Sequence, residues 1–379
     1  MMIIKSISAK SILDSRKEKT IQVSVNNEKA SSPSGKSKGK YETPSYKPNL
    51  KSDIIKINKL KSLVSLEINS FQDLEKVESK IKSKIGANSL YALESAILKA
   101  LAKSQNKELY QIVNPNLKNK KIKIPLPLGN AIGGGLHSLN KQKPVFQEFL
   151  IIPNSSSIKN NLKIMNSIYS DLKEKIKSQG KNDEGAWQTS LSEENILSIL
   201  SKYKGIKIGI DIAASTFYND GNYMYKNRKL SRLGQIDYIN KLIKYFLISY
   251  IEDPLEEKDF AGFSRIKRFG ILNKTLVCGD DLTVSNLERT KKAFELSSIN
   301  SVILKPNQNG SLLELAELFS FCKKHKIKTI LSHRSGETLD SALADYAVGF
   351  QADFIKCGIS GKEREVKLSR LVEIEESIR

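Results

Sequence analysis

Apolar and polar positions follow two different rules along the chain. In KTIQVSVN (19–26) they alternate, which is the period of a half-buried strand. The next stretch, SSPSGKSKGKYE (31–42), is rich in Ser, Gly and Lys. It holds too little apolar surface to bury and reads as a mobile loop. Residues 1 to about 60 therefore read as short strands and loops. From about 70 the period becomes helical. Asn88 is placed as N-cap of SLYALESAILKALAKSQ, whose Leu90, Leu93, Ile97, Leu98 and Leu101 fall on one face. The polar, proline-marked run KNKKIKIPLPLGN then puts a domain boundary near 120, between an α+β domain at 1–120 and a second domain at 121–379.

The second domain repeats one unit. Short β-rich runs end at Asp211, Glu252, Asp280, Lys305, His333 to Ser335 and Lys356, spaced 23 to 41 residues apart. Helical segments such as NLERTKKAFELS and SLLELAELFSFCKKHK lie between them. Strands alternating with helices imply a parallel sheet. Six such units at similar spacing predict an α/β fold closed as a (β/α)8 barrel, capped by the smaller first domain.

In such a barrel the carboxyl ends of all strands meet on one face. One charged residue at a strand end is ordinary solvation. Six in succession, carboxylates first and cations after, point to a site. Asp211, Glu252 and Asp280 make an all-oxygen anionic nest that suits Mg²⁺. Zinc is not expected, because His137, His325 and His333 lack H-x-x-x-H spacing. Lys305 and Lys356 can serve as bases or anion clamps. A lysine near another cation and partly desolvated is expected to have a lowered pKa. Arg334 and Ser335 form a phosphate grip through a planar fork and a hydroxyl. The sum is metal-assisted proton abstraction beside a carboxylate, on a phosphorylated substrate.

Two further patches add to it. Gln147 and Glu148 open the apolar run QEFLIIP, and Glu184 sits in the turn NDEGAW, which taken alone is an ordinary solvated turn. Paired acids in different environments can divide acid and base roles. GNAIGGGLHSLN lacks the G-x-G-x-x-G of a dinucleotide site and reads instead as a close-approach loop carrying His137.

Composition changes the picture little. The formal charge of +21 invites a polyanion partner. The lysines, however, are spread along the chain without interleaved aromatics, so drift in a Lys-, Asn- and Ile-rich sequence explains them better and nucleic acid is not the expected ligand. Three cysteines without C-x-x-C spacing imply a reducing compartment rather than a disulfide framework. No apolar run is long enough for a signal peptide or a spanning helix, so a soluble cytoplasmic protein is expected.

From about residue 3 to 376 the chain resembles the enolase family. The segments that carry this are ILDSR, PSGKSKGKYE, GANSLYALESAILKALA, PLPLGNAIGGGLH, QEFLIIP, NDEG, IGIDIAASTFY, YIEDP, GDDLTVSN, ILKPNQNGS, LSHRSGET and IKCG. The resemblance implies a hydro-lyase that interconverts 2-phosphoglycerate and phosphoenolpyruvate, with two Mg²⁺ per site, as a homodimer or assembly of dimers. It implies that Asp211, Glu252 and Asp280 hold one Mg²⁺ and that Ser37 helps hold the other. Lys305 is then the base, and Glu184 supported by Glu148 the acid. Lys356 faces the substrate carboxylate, Arg334 and Ser335 face the phosphate, and His137, Gln147 and His333 line the pocket. The chain departs from the family pattern at Lys17-Glu18-Lys19 after ILDSR, at Ala186-Trp187 after DEG, and at GISGKERE, where Arg364 is the surviving arginine. Two other functions compete. One is a related lyase acting on another phosphorylated or phosphonate acid, motivated by the altered NDEGAW loop. The other is a polyanion-binding scaffold, motivated by the charge.

Overall fold

The alternating segment Lys19–Val25 is the middle strand of a three-stranded antiparallel sheet, between Ile7–Leu13 and Glu28–Ser31. The computed structural model describes residues 1–36, 39–117, 122–138 and 140–378. Ile21, Val23 and Val25 are buried against the helix Ala87–Ser104. That helix is apolar on more than one face, with fifteen of its eighteen residues buried. The sheet covers one side of it, and the short helix Pro306–Asn309 from the second domain packs on it as well.

Two details of the first domain differ from the sequence reading. The helix starts at Ala87 after Gly86, and Asn88 is not its cap. The first helical N–H groups, of Ala87 and Asn88, donate instead to the Pro44 and Ser45 carbonyls at 2.9 and 3.1 Å, and the buried Asp53 carboxylate accepts the Gly86 N–H and the Ser89 hydroxyl at 2.8 Å each. Asn88 instead accepts from Asn307 Nδ2 at 2.9 Å, across the two domains. Asp53 belongs to a helix, Leu50–Asn58, in a region read as strands and loops. Asn49 caps it by accepting the Ser52 N–H, and its Ile57 is buried.

The second domain is a closed eight-stranded barrel. In chain order its strands are Leu126–Gly133, Glu148–Pro153, Ile206–Asp211, Tyr250–Glu252, Leu276–Gly279, Ser301–Leu304, Lys328–Ser332 and Phe354–Lys356. Leu128, Leu150, Ile152, Tyr250, Cys278, Ile303 and Ile330 fill its interior, so the barrel is a packed core. The six expected strand ends are all there. The sheet is not wholly parallel, however. Glu148–Pro153 runs antiparallel to both neighbours. The cause is local: among the described residues of 134–147 there is no crossover helix, only the single turn Gly135–His137, and a short connection can join only antiparallel strands. The reversal brings the start of this strand, not its end, to the mouth where the other strands finish. Glu148 therefore stands opposite Asp211 and Gly133.

Asp340 ties the first domain to the barrel. Its carboxylate accepts the Ser31 N–H at 2.9 Å and Lys99 Nζ at 2.6 Å. Among the described residues no helix is long and apolar enough to cross a membrane.

Candidate active site

The strand ends surround a cleft of about 630 Å³ at the barrel mouth, partly roofed by Gly35, Lys36 and Glu42 from the 31–42 segment. Ser37 lies outside the described residues. Its neighbours are held against the barrel. Ser34 bridges Gly336, and the Lys36 N–H donates to Ser335 Oγ at 2.8 Å.

On the floor, one ammonium meets three carboxylates. Lys356 Nζ lies 2.9 Å from Glu148, 3.1 Å from Asp211 and 2.9 Å from Glu252, all of them buried. Burial opposes the lysine charge, and Asp211, Glu148 and Glu252 outweigh it, holding Lys356 well above its ordinary value. Gln147 donates to Asp211 at 3.3 Å, and Tyr250 donates to Glu252 at 2.6 Å. Asp280 pairs with Lys305, while its Oδ1 is buried without a hydrogen-bond partner.

The expected downward shift of Lys305 is not what the structure shows. Burial does push it down, but the Asp280 carboxylate raises it more than Arg334 lowers it, and the net direction is up. The tandem acids also divide their labour. Asp253 spends its two oxygens on the backbone N–H groups of Asp280 and Asp281, at 3.0 and 2.6 Å. It shapes the strand end, and the three carboxylates approach within 4.8 Å of one another.

On this floor Glu148 also pairs with a second acid, Glu184. Burial pushes Glu148 well above the usual carboxylate range. Burial also opposes ionisation of Glu184, but the neighbouring His137 and the hydrogen bond with Glu148 overcome it and hold Glu184 well below. His137 Nδ1 sits 3.3 Å from Asp183 and 3.4 Å from Glu184. Burial lowers this imidazole, and Glu184 with Asp183 raises it more, so its net shift is upward.

The turn around Glu184 is rigid rather than solvated. Asn182 Oδ1 accepts the N–H groups of Glu184 and Ala186 at 3.0 and 2.9 Å. Gly185 has φ +79°, and a Cβ there would lie 2.2 Å from the Ser360 carbonyl. Tyr169 donates to the Gly185 carbonyl at 2.6 Å, and Trp187 stacks on Tyr169 with centroids 4.9 Å apart. The Trp187 ring does not line the cleft.

On the third side, Arg334 meets Glu42 at 3.1 Å and Asn307 at 3.4 Å. Burial, the largest influence on His333, pushes it well below its usual value and keeps it neutral. Arg364 Nη2 donates to the carbonyls of Asp183 and Ser335 at 3.3 and 3.1 Å, joining the Glu184 turn to the Arg334–Ser335 segment. Lys36, Glu42 and Asp183 were missed as site residues. Each lies in a polar stretch with no hydrophobic period to orient it.

The comparisons with known proteins agree with this geometry. Residues 121–379 match the family described as enolase, C-terminal TIM barrel domain, and residues 4–113 match enolase, N-terminal domain. The chain belongs to the enolase family. Proteins named enolase similar to it along its whole length include one from Methanocorpusculum labreanum, 36% identical with 98% of this chain and 99% of the relative covered. Another, from Sulfurisphaera tokodaii, is 38% identical with coverage of 98% and 95%. A third, from Archaeoglobus fulgidus, is 35% identical with coverage of 99% and 98%. Enolases act on small molecules and need metal ions, and at the mouth of this barrel Asp253, Asp280 and Asp281 form an acidic cluster. The orphaned Asp280 Oδ1, beside an all-oxygen donor set, fits a hard divalent cation.

Proposed function

We propose that the protein catalyses the reversible dehydration of 2-phosphoglycerate to phosphoenolpyruvate. One observation carries this reading. In the closed ring of eight strands, the strand leading to Lys305 and the strand that begins at Glu148 stand four places apart. Base and acid therefore face each other across the mouth. That arrangement removes a proton from one face of a carbon chain and a hydroxyl from the other.

The residues divide the work as follows. Lys305, deprotonated, takes the proton from C2, next to the substrate carboxylate. The electron pair left on C2 is held by the carboxylate until it forms the C2–C3 double bond. The C3–oxygen bond then breaks, and the departing hydroxide takes the proton that the Glu148–Glu184 pair shares, leaving as water. Glu148 is displaced above the usual range and Glu184 below it, so a proton shared by the pair rests on Glu148. Lys356 answers the charge gathering on the substrate carboxylate, and Arg334 with Ser335 holds the phosphate, displacing Glu42 from the guanidinium. Fixed cations in a partly dry cleft stabilise such charge strongly. Mg²⁺ held by Asp211, Glu252 and Asp280 would supply further positive charge at the substrate carboxylate. Asp280 so occupied would hold the Lys305 proton less strongly. His137, His333 and Gln147 line the cleft and orient these groups. The 31–42 segment would exclude water, and Ser37 is the residue of that segment expected to help hold a second Mg²⁺. A cytoplasmic homodimer or assembly of dimers completes the reading, on the strength of family membership.

The test is to mix the pure protein with 2-phosphoglycerate and Mg²⁺ and follow the absorbance of the enol product. Lys305→Ala should lower the rate by about 10²–10⁴, the range for a general base. Wild-type turnover no faster than that of the variant overturns the proposal.

A further inference from the structure

We propose that Lys36 is a substrate-binding residue that reads the phosphate of the anionic substrate from the 31–42 segment. This rests on the function proposed above and extends it to a residue outside the strand-end set. Three observations lead to it.

First, Lys36 is built into the phosphate grip. Its N–H donates to Ser335 Oγ at 2.8 Å. The preceding Gly35 packs so closely on Arg334 that a Cβ there would lie 2.0 Å from the guanidinium. Second, its side chain leads across the mouth. Nζ donates to the Leu136 carbonyl at 3.2 Å and lies 3.7 Å from Asp183 Oδ2. Third, its charge is the least committed of the cations that line the cleft. Lys305 is in close contact with Asp280, Lys356 lies 2.9 Å from its nearest carboxylate, and Arg334 lies 3.1 Å from Glu42. Lys36 holds its carboxylate at 3.7 Å and is 40% exposed. An incoming dianionic phosphate need break little to recruit it, and a flexible four-carbon stem lets the ammonium follow.

The test is steady-state kinetics on the full protein with 2-phosphoglycerate, comparing wild type with Lys36→Gln and Lys36→Arg. A charge-assisted contact at a half-exposed site predicts a KM about five- to tenfold higher in Lys36→Gln, with the loss falling on KM rather than kcat. Lys36→Arg should restore most of it. Inorganic phosphate, as a competitive inhibitor, should lose affinity for Lys36→Gln by a similar factor. Raising the ionic strength should reduce kcat/KM less steeply in Lys36→Gln than in wild type.

A KM within twofold of wild type overturns the inference. So does a fall in kcat at unchanged KM, which would mark a purely structural part in the loop. If the wild type does not turn over 2-phosphoglycerate, the proposed function fails. Calorimetric titration with phosphate still decides Lys36 in that case, since equal affinity of wild type and Lys36→Gln refutes its role and a five- to tenfold difference supports it.

Discussion

Replacing Lys356 by Met removes one charge and little volume from the barrel floor. It leaves Glu148, Asp211 and Glu252 buried around the site of a lost ammonium that now lies 2.9 to 3.1 Å from each. Breaking a buried ion pair from one side costs about 3–5 kcal/mol, because the other charge stays in a medium that solvates it poorly. Unfolding entropy near 2.1 cal/mol/K per residue gives a 379-residue chain about 0.8 kcal/mol/K, so Tm should fall by about 4–6 °C if the chain unfolds in one transition. The pH dependence separates this cause from simple loss of packing. Burial holds Glu148 and Glu252 above the usual range even in the wild type, and without Lys356 they rise further. Between their unfolded value near 4.3 and the raised folded value, the folded state binds more protons, so its stability grows as pH falls. Lys356 itself is raised, and its contribution, complete below about 10.4, does not vary between pH 5 and 8. Thermal unfolding at pH 7.5 and pH 5.5, with a chelator present, should therefore show a gap between variant and wild type that narrows at the lower pH. A gap that stays constant, or a variant as stable as wild type at pH 7.5, would refute the reasoning.

Two further outcomes follow from buried charges elsewhere. Asp340→Asn should cost about 2 kcal/mol at pH 7 in urea unfolding, since the partly exposed Lys99 can turn to water once its partner is neutral. Burial opposes the Asp340 charge, but Lys99 and the Ala342 and Ser31 N–H groups depress its folded pKa. Its contribution is thus present above the unfolded value near 3.9 and disappears as pH falls through the folded one, so the two proteins should converge as the pH is lowered below it. His137→Gln tests the opposite sign. The folded pKa of His137 is raised, so its stabilisation is complete below about 6.5 and is lost as pH rises through the folded value. The variant should lack that decline, and an identical stability–pH curve for both proteins contradicts the assignment.

Much of the floor was legible from residue order alone. Asp211, Glu252, Asp280, Lys305 and Lys356 each close an apolar run, and a barrel carries such ends to one mouth whatever the loops do. The direction of Glu148–Pro153 was not legible, because an apolar run reads the same in a parallel or a reversed strand. Only the missing helix between 133 and 148 marked it. The rise in the Lys305 pKa was hidden for a related reason. Its cause, Asp280, is 25 residues away in sequence and touches it only once neighbouring strands pair. Lys36 and Glu42 sit in a Ser/Gly/Lys-rich stretch whose composition says only that it is solvated. Arg364, buried within the charged helix Lys362–Ser377, looks like a surface residue until the backbone carbonyls it binds are known. Asn88 misled because the first helical N–H groups go to the backbone carbonyls of Pro44 and Ser45, so the helix starts without a capping side chain.

The reversed strand has a consequence for how the chemistry could be altered. Because the chain doubles back at 134–147, the groups that would send off the hydroxyl (His137, Glu148 and Glu184) come from one contiguous stretch of fewer than fifty residues. Those that would form the carbanion come from later in the chain, beginning at Asp211. Expulsion and deprotonation are therefore written in separate paragraphs of the gene. A graft confined to the earlier paragraph changes what departs from the substrate without rewriting how its acidic hydrogen is taken.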